Sequence, residues 1–133
     1  MTTRANPLRF LVVDDTEDIR DLMARMVVRL GHLADEAADG VEAVEAIQKA
    51  AYDVMLLDLS MPRMGGEDVV RWLNGHPEQA AGLRVVVITA RAGERRGVLR
   101  ELGVSSVLHK PLRTQQLRDL IDETASGSTP PTP

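Results

Sequence analysis

Residues 8–18, LRFLVVDDTED, run from a nearly continuous apolar stretch into two adjacent carboxylates, Asp14 and Asp15, before helical spacing begins. An apolar run of that length suits a strand covered on both faces, as in a parallel sheet. A carboxylate at the end of such a strand is costly to desolvate, and a second beside it adds like-charge repulsion. The pair therefore calls for a compensating positive charge.

Outward from this stretch, strand-length apolar runs alternate five times with segments of helical period. After the first strand, Ile19, Leu22, Met23, Met26, Val27 and Leu30 recur at three- and four-residue steps and predict an apolar helix face, with Gly31 as its stop. A weakly apolar piece at 33–37 follows. Asp39 with Glu42 three residues on reads as a capping box opening a helix with Val41, Val44 and Ile47. DVMLLD (53–58) is the third strand, and Gly65-Gly66 opens a helix with Val69, Val70 and Leu73. RVVVIT (84–89) is the fourth strand, with Val98, Leu99 and Leu102 on the next helix. SVLH (106–109) is the fifth, and Thr114 is placed to cap a final helix carrying Leu117, Leu120 and Ile121. The alternation predicts an α/β doubly wound fold with right-handed crossovers over residues 1–125. The tail SGSTPPTP (126–133) reads as disordered or as a linker.

In an open α/β sheet the ligand crevice lies beyond the carboxyl ends of the strands. The first strand delivers Asp14 and Asp15 there, the third Asp58, the fourth Thr89, and the fifth runs into Lys110. At 4 Å each carboxylate pair repels by roughly 1–4 kcal/mol, so a dication is the natural counter-charge. Oxygen ligands without His or Cys favour Mg²⁺ or Mn²⁺ over zinc. Mg²⁺ typically leaves coordination positions for waters and a phosphate oxygen. Lys110 and Thr89 suit two oxygens of a phosphoryl group, and Asp58 suits a nucleophile that forms an aspartyl phosphate.

The set VVDD at 12–15, LLDLSMP at 56–62, ITA at 88–90 and HKP at 109–111 resembles the receiver domain of two-component response regulators, over about residues 7–124. The resemblance implies a flavodoxin-like (βα)5 fold with a five-stranded parallel sheet in the order 2-1-3-4-5. It implies Asp58 as the phosphorylated residue, with Thr89 and Lys110 on the phosphoryl group. Asp14, Asp15, Asp58 and the carbonyl of Ser60 become the Mg²⁺ ligands, and Lys110-Pro111 a cis peptide. The implied partners are a histidine kinase or a histidine phosphotransfer protein, and a downstream protein on the face of the fourth helix, fifth strand and fifth helix.

Two positions depart from or tune that pattern. The family usually has Tyr or Phe three residues before the lysine, and this chain has Val107, which cannot make the same large rotamer swing. Either the output signal travels by backbone shifts around Thr89, or the domain mainly passes phosphate onward. Ser60 and Arg91, two residues beyond Asp58 and Thr89, occupy the family's tuning positions, and Arg91 is placed to hinder the attacking water. Gly93 and Gly97 predict a short or labile fourth helix. Arg96, Arg100 and Leu108 are the candidate partner contacts.

Composition narrows the alternatives. A net charge of −4 weighs against direct nucleic-acid binding, and a single Phe, Tyr and Trp give no base-stacking platform. With no cysteine there is no disulfide framework or thiolate site. The N-terminus lacks a secretory h-region and no apolar run spans a bilayer, so a cytoplasmic location without membrane contact is expected. With no second folded domain expected in 133 residues, output is expected from another protein or from a domain beyond this sequence. Taken singly, Asp14-Asp15 is a helix-capping pair, Asp58 a turn residue, Thr89 a β-former and Lys110 a surface charge; their coincidence on one rim favours the site. His32, His76 and His109 read as incidental, and Trp72 as partial core. The competing classes are a Mg²⁺-dependent phosphohydrolase, disfavoured because no cap domain fits, and a phosphorylation-independent interaction module.

Overall fold

The computed structural model describes residues 7–104 and 106–125. Five strands, β1 (Arg9–Val13), β2 (Leu33–Ala37), β3 (Val54–Leu57), β4 (Arg84–Thr89) and β5 (Ser106–His109), form one sheet in the order β2-β1-β3-β4-β5, with every pairing parallel. The helices are α1 (Glu17–Arg29), α2 (Gly40–Lys49), α3 (Gly66–Gly75), α4 (Pro77–Ala80), α5 (Ala92–Glu101) and α6 (Thr114–Ala125). The turn of α4 was not legible in the pattern of apolar residues, and Pro77 at its start is preset for a first helical position. The predicted fourth and fifth helices are therefore α5 and α6. The tail at 126–133 lies outside the described residues.

Alternate residues of the central strands feed two cores, as the period of two requires. Leu11, Val13, Met55, Leu57, Val87 and Val107 pack with α2, α3 and α5. Phe10, Val12, Val54, Leu56, Val86 and Ile88 pack with α1 and α6. Both faces are covered, which is why β1, β3 and most of β4 are apolar at consecutive positions. Trp72 is partly buried against the first of these cores and stacks on His76.

Local signals act as expected at two helix ends. Asp39 accepts from the Glu42 amide at 2.9 Å, while Glu42 reaches back to the Ala38 amide at 2.9 Å. Gly31 follows α1 at φ 93°, a conformation that favours glycine. Two expectations need correction. Thr114 is the first residue of α6, and Gln116 instead reaches back to the Arg113 amide at 2.9 Å. In α1 the buried residues are Met23, Ala24 and Val27, so the stripe is rotated toward Ala24, whose small side chain permits close approach to the sheet. Leu22 stays 58% exposed and Ile19 37%.

Candidate functional site

The carboxyl ends of β1, β3, β4 and β5 meet on one rim. Backbone bonds continue the sheet one step past its strands and fix what stands there: Asp14 N donates to Ala37 O at 3.2 Å, Asp58 N to Val13 O at 2.9 Å and Lys110 N to Thr89 O at 3.0 Å. Asp14 is fully buried, Asp58 and Thr89 nearly so, and Asp15 is exposed. One carboxylate oxygen from each of Asp14, Asp15 and Asp58 lies within 4.8 Å of the others. Lys110 Nζ bridges two of them, at 2.9 Å from Asp14 Oδ2 and 3.2 Å from Asp58 Oδ1. The compensating charge that β1 calls for is thus supplied in part by the end of β5.

Asp14 is held from several sides. Its Oδ1 accepts from the Thr16 amide at 2.9 Å, and its carbonyl accepts from Arg20 Nη1, also at 2.9 Å. Arg20 in turn pairs with Glu36 on β2 at 3.0 Å. Asp58 is less well compensated. Burial, and then the charge of Asp14, push its carboxyl above the ordinary value; Lys110 offsets this only partly. For Lys110 burial opposes the ammonium, but its bond to Asp14 and the charges of Asp58 and Asp14 outweigh that, and its pKa rises. Both aspects describe a site with surplus negative charge and hard oxygen donors, a set that fits Mg²⁺.

Beside the acids lies an open groove of about 240 Å³, lined among others by Ser60, Thr89, Arg91 and Arg95. Thr89 Oγ1 accepts from the Arg91 amide at 3.2 Å. Arg95 on α5 pairs with Glu67 on α3 (Nε to Oε2 2.7 Å), whereas the Arg91 guanidinium has no carboxylate partner among the described residues. The Lys110-Pro111 peptide is cis. His109 is exposed, its Nδ1 2.6 Å from the Lys110 carbonyl.

Comparison with known proteins agrees with this geometry. The family model described as "response regulator receiver domain" matches residues 10–122. The chain belongs to the response regulator receiver family. It is 36% identical over 112 residues to the response regulator MprA of Mycobacterium tuberculosis, covering 83% of this chain and 47% of that protein. With MprA of a Mycobacterium sp. (strain KMS) it shares 34% over 133 residues, 96% of this chain and 56% of the relative. It thus spans about half the length of these curated relatives. Among solved structures, the chemotaxis response regulator CheY4 of Vibrio cholerae superposes with a TM-score of 0.80 at 27% identity, covering 90% of this chain and 99% of that one. The response regulator TrrA of Thermotoga maritima, solved in complex with Mg²⁺-BeF, gives 0.77 at 25% identity, with 88% and 98% covered.

Within this receiver domain, Val107 is buried in the core, opposite Val87 on β4. On the candidate partner face, Arg96 and Arg100 are exposed and Leu108 is half-buried. No described helix is long and apolar enough to cross a membrane. Sequence reasoning missed the Glu67–Arg95 pair and the contacts of Arg63 with Asp39, because ion pairs between distant elements leave no local spacing to read.

Proposed function

We propose that Asp58 accepts a phosphoryl group from the phosphohistidine of a histidine kinase or phosphotransfer protein, and that this changes which protein the receiver binds. The observation that carries the reading is the Lys110 ammonium bonded to both Asp14 and Asp58 on a rim with a third carboxylate. An Asp58 carboxylate oxygen attacks phosphorus, the P–N bond breaks, and the leaving imidazole retains the bond's electron pair and takes up a proton. Lys110 and the Thr89 hydroxyl meet the oxygens of the transferred group. Asp14, Asp15, Asp58 and the Ser60 carbonyl would hold Mg²⁺, which when bound neutralises charge on the phosphoryl oxygens. Thr89 contact draws on the β4–α5 connection, so the signal reaches α5, β5 and α6 as a backbone shift.

On this reading the protein is a cytoplasmic signalling phosphoacceptor that catalyses only its own phosphotransfer and dephosphorylation. Arg91, which has no carboxylate partner among the described residues, shields the phosphoryl group from attacking water. A relay role, passing phosphate to a histidine phosphotransfer protein, is favoured by one feature: buried Val107 cannot make the swing of an aromatic ring.

The test is incubation with acetyl phosphate with and without Mg²⁺, read by intact mass beside an Asp58→Asn control. One added phosphoryl group that requires both Mg²⁺ and Asp58 is expected. No adduct, together with no beryllofluoride binding, would move the assignment to a phosphorylation-independent module.

A further inference from the structure

The segment between Asp58 and Gly66 carries the Ser60 carbonyl, yet the contacts that fix it lie farther along. A Cβ on Gly66 would meet the Asp58 carbonyl oxygen at 2.3 Å, and the Gly66 amide donates to Leu59 O at 3.0 Å. The Met64 carbonyl accepts from the amide of Gly40, the first residue of α2, at 2.9 Å; a Cβ on Gly40 would meet that oxygen at 2.4 Å. Between these anchors stands Arg63 at φ 64°, a left-handed conformation uncommon for a residue with a long side chain. Its Nε and Nη2 both contact Asp39 Oδ2, at 2.7 and 2.5 Å. Asp39 is buried, and its other oxygen caps α2.

We propose that Arg63 is a positioning residue for the divalent-cation site: its ion pair with Asp39 fastens the 59–65 loop to the start of α2 and so sets where the Ser60 carbonyl stands. The inference rests on the phosphoacceptor reading above. Glycine would adopt the backbone of position 63 without strain, so an arginine there needs a compensating interaction, and the Asp39 contacts are that interaction. Mg²⁺ demands near-octahedral oxygen positions at about 2.0–2.1 Å, so loosening one donor by a fraction of an ångström is felt as affinity. Asp39 is anchored by the helix it caps, whereas Arg63 is 58% exposed. Only the Arg63 half of the pair is solvent-exposed, and Asp39 keeps its bond to the Glu42 amide when Arg63 is removed, so the effect is expected to fall on the order of the loop more than on global stability.

The experiment titrates Mg²⁺ into the full chain, following the amide resonances of residues 58–66, with thermal unfolding measured in parallel. Arg63→Gly removes the ion pair and the strained backbone together, so the fold is retained. Its Kd for Mg²⁺ is expected to rise about 10-fold, the low end of what outer-shell changes cost, with little change in Tm. Asp39→Asn keeps a good helix cap but loses the charge, and should weaken Mg²⁺ in the same sense. Arg63→Lys should fall between, and the Arg63→Gly/Asp39→Asn double variant should be no weaker than the weaker single variant. An unchanged Kd in Arg63→Gly overturns the proposal, as does a loss of Tm in both single variants with Kd unmoved. Absence of any Mg²⁺-dependent shift in the wild-type chain is a distinct result: it overturns the phosphoacceptor reading and the role of Arg63 with it.

Discussion

Four glycines divide the rim into two unlike halves. Gly40 and Gly66, beside the acids, are so closely approached by the Met64 and Asp58 backbones that no larger residue fits. Gly93 and Gly97 on α5 face open space, with nothing beyond their chain neighbours and the helix's own backbone within 4 Å of where a Cβ would stand. The helices differ accordingly: α3 buries Gly66, Val69, Val70 and Leu73, whereas α5 buries only Ala92 and Leu99. The half that holds the charges is built to near-contact tolerance. The half expected to carry the signal is loosely packed, as a switching element requires.

The largest effect should come from the link between the halves. Lys110→Ala removes the cation shared by Asp14 and Asp58 and is expected to slow phosphorylation by acetyl phosphate about 100-fold, in line with the loss of one preorganised charge-stabilising donor. A stopped-flow or mass time course that matched wild type would detach Lys110 from the chemistry.

Next, Gly66→Ala should lower stability by about 1–3 kcal/mol in urea unfolding, the cost of forcing atoms into a filled space. In contrast, the pair Gly93→Ala and Gly97→Ala should raise stability by up to about 1 kcal/mol each and slow amide exchange across α5. If all three glycines responded alike, the division of the rim would not stand.

Asp58→Asn should be more stable than wild type at pH 7 in EDTA, because it removes a buried carboxylate whose ionised form the fold disfavours. Because its carboxyl is raised above 3.8, the folded chain holds that proton more tightly than the unfolded chain does. Its ionisation therefore subtracts stability as pH rises from 3.8 through the raised value. The advantage of Asn should shrink as pH falls toward 3.8, and thermal unfolding across that range would expose a constant gap as a contradiction. The smallest expected change is in Arg91→Ala: a phospho-Asp58 lifetime shortened about 3-fold, roughly 0.7 kcal/mol in barrier, read by loss of the mass adduct.

Much of the tightly built half was legible in the sequence because its signals are local. Asp14, Asp58 and Lys110 each follow a strand whose apolar run announces its end, and strand order then brings them together. Asp39 and Glu42 announce α2 by a three-residue spacing. Leu22 stands outside the buried face of α1, which the sequence does not reveal because the apolar period alone does not say which of two neighbouring stripes meets the sheet. Ala24, a weak hydrophobic signal, decides it by allowing close approach. Arg63 gave no signal, since its left-handed backbone is not one an arginine prefers and its partner, Asp39, lies 24 positions away in the chain.

One feature of the architecture bears on solubility. The sheet is open, so among the described residues β2 and β5 each present an unpaired backbone edge, a template on which another chain could add a strand. β2, read as LADEA, places Asp35 and Glu36 along that edge, and both are held there: Asp35 by Arg9 at 3.0 Å and by the Tyr52 hydroxyl at 2.7 Å, Glu36 by Arg20. Charges pinned on a short strand make it a poor seed for intermolecular β-pairing. The weak apolar character that makes β2 the least obvious strand in the sequence is thus expected to protect the edge from intermolecular pairing, and Asp35→Val with Glu36→Val is expected to turn a terminus of the sheet into an adhesive one, read as a rise in light scattering.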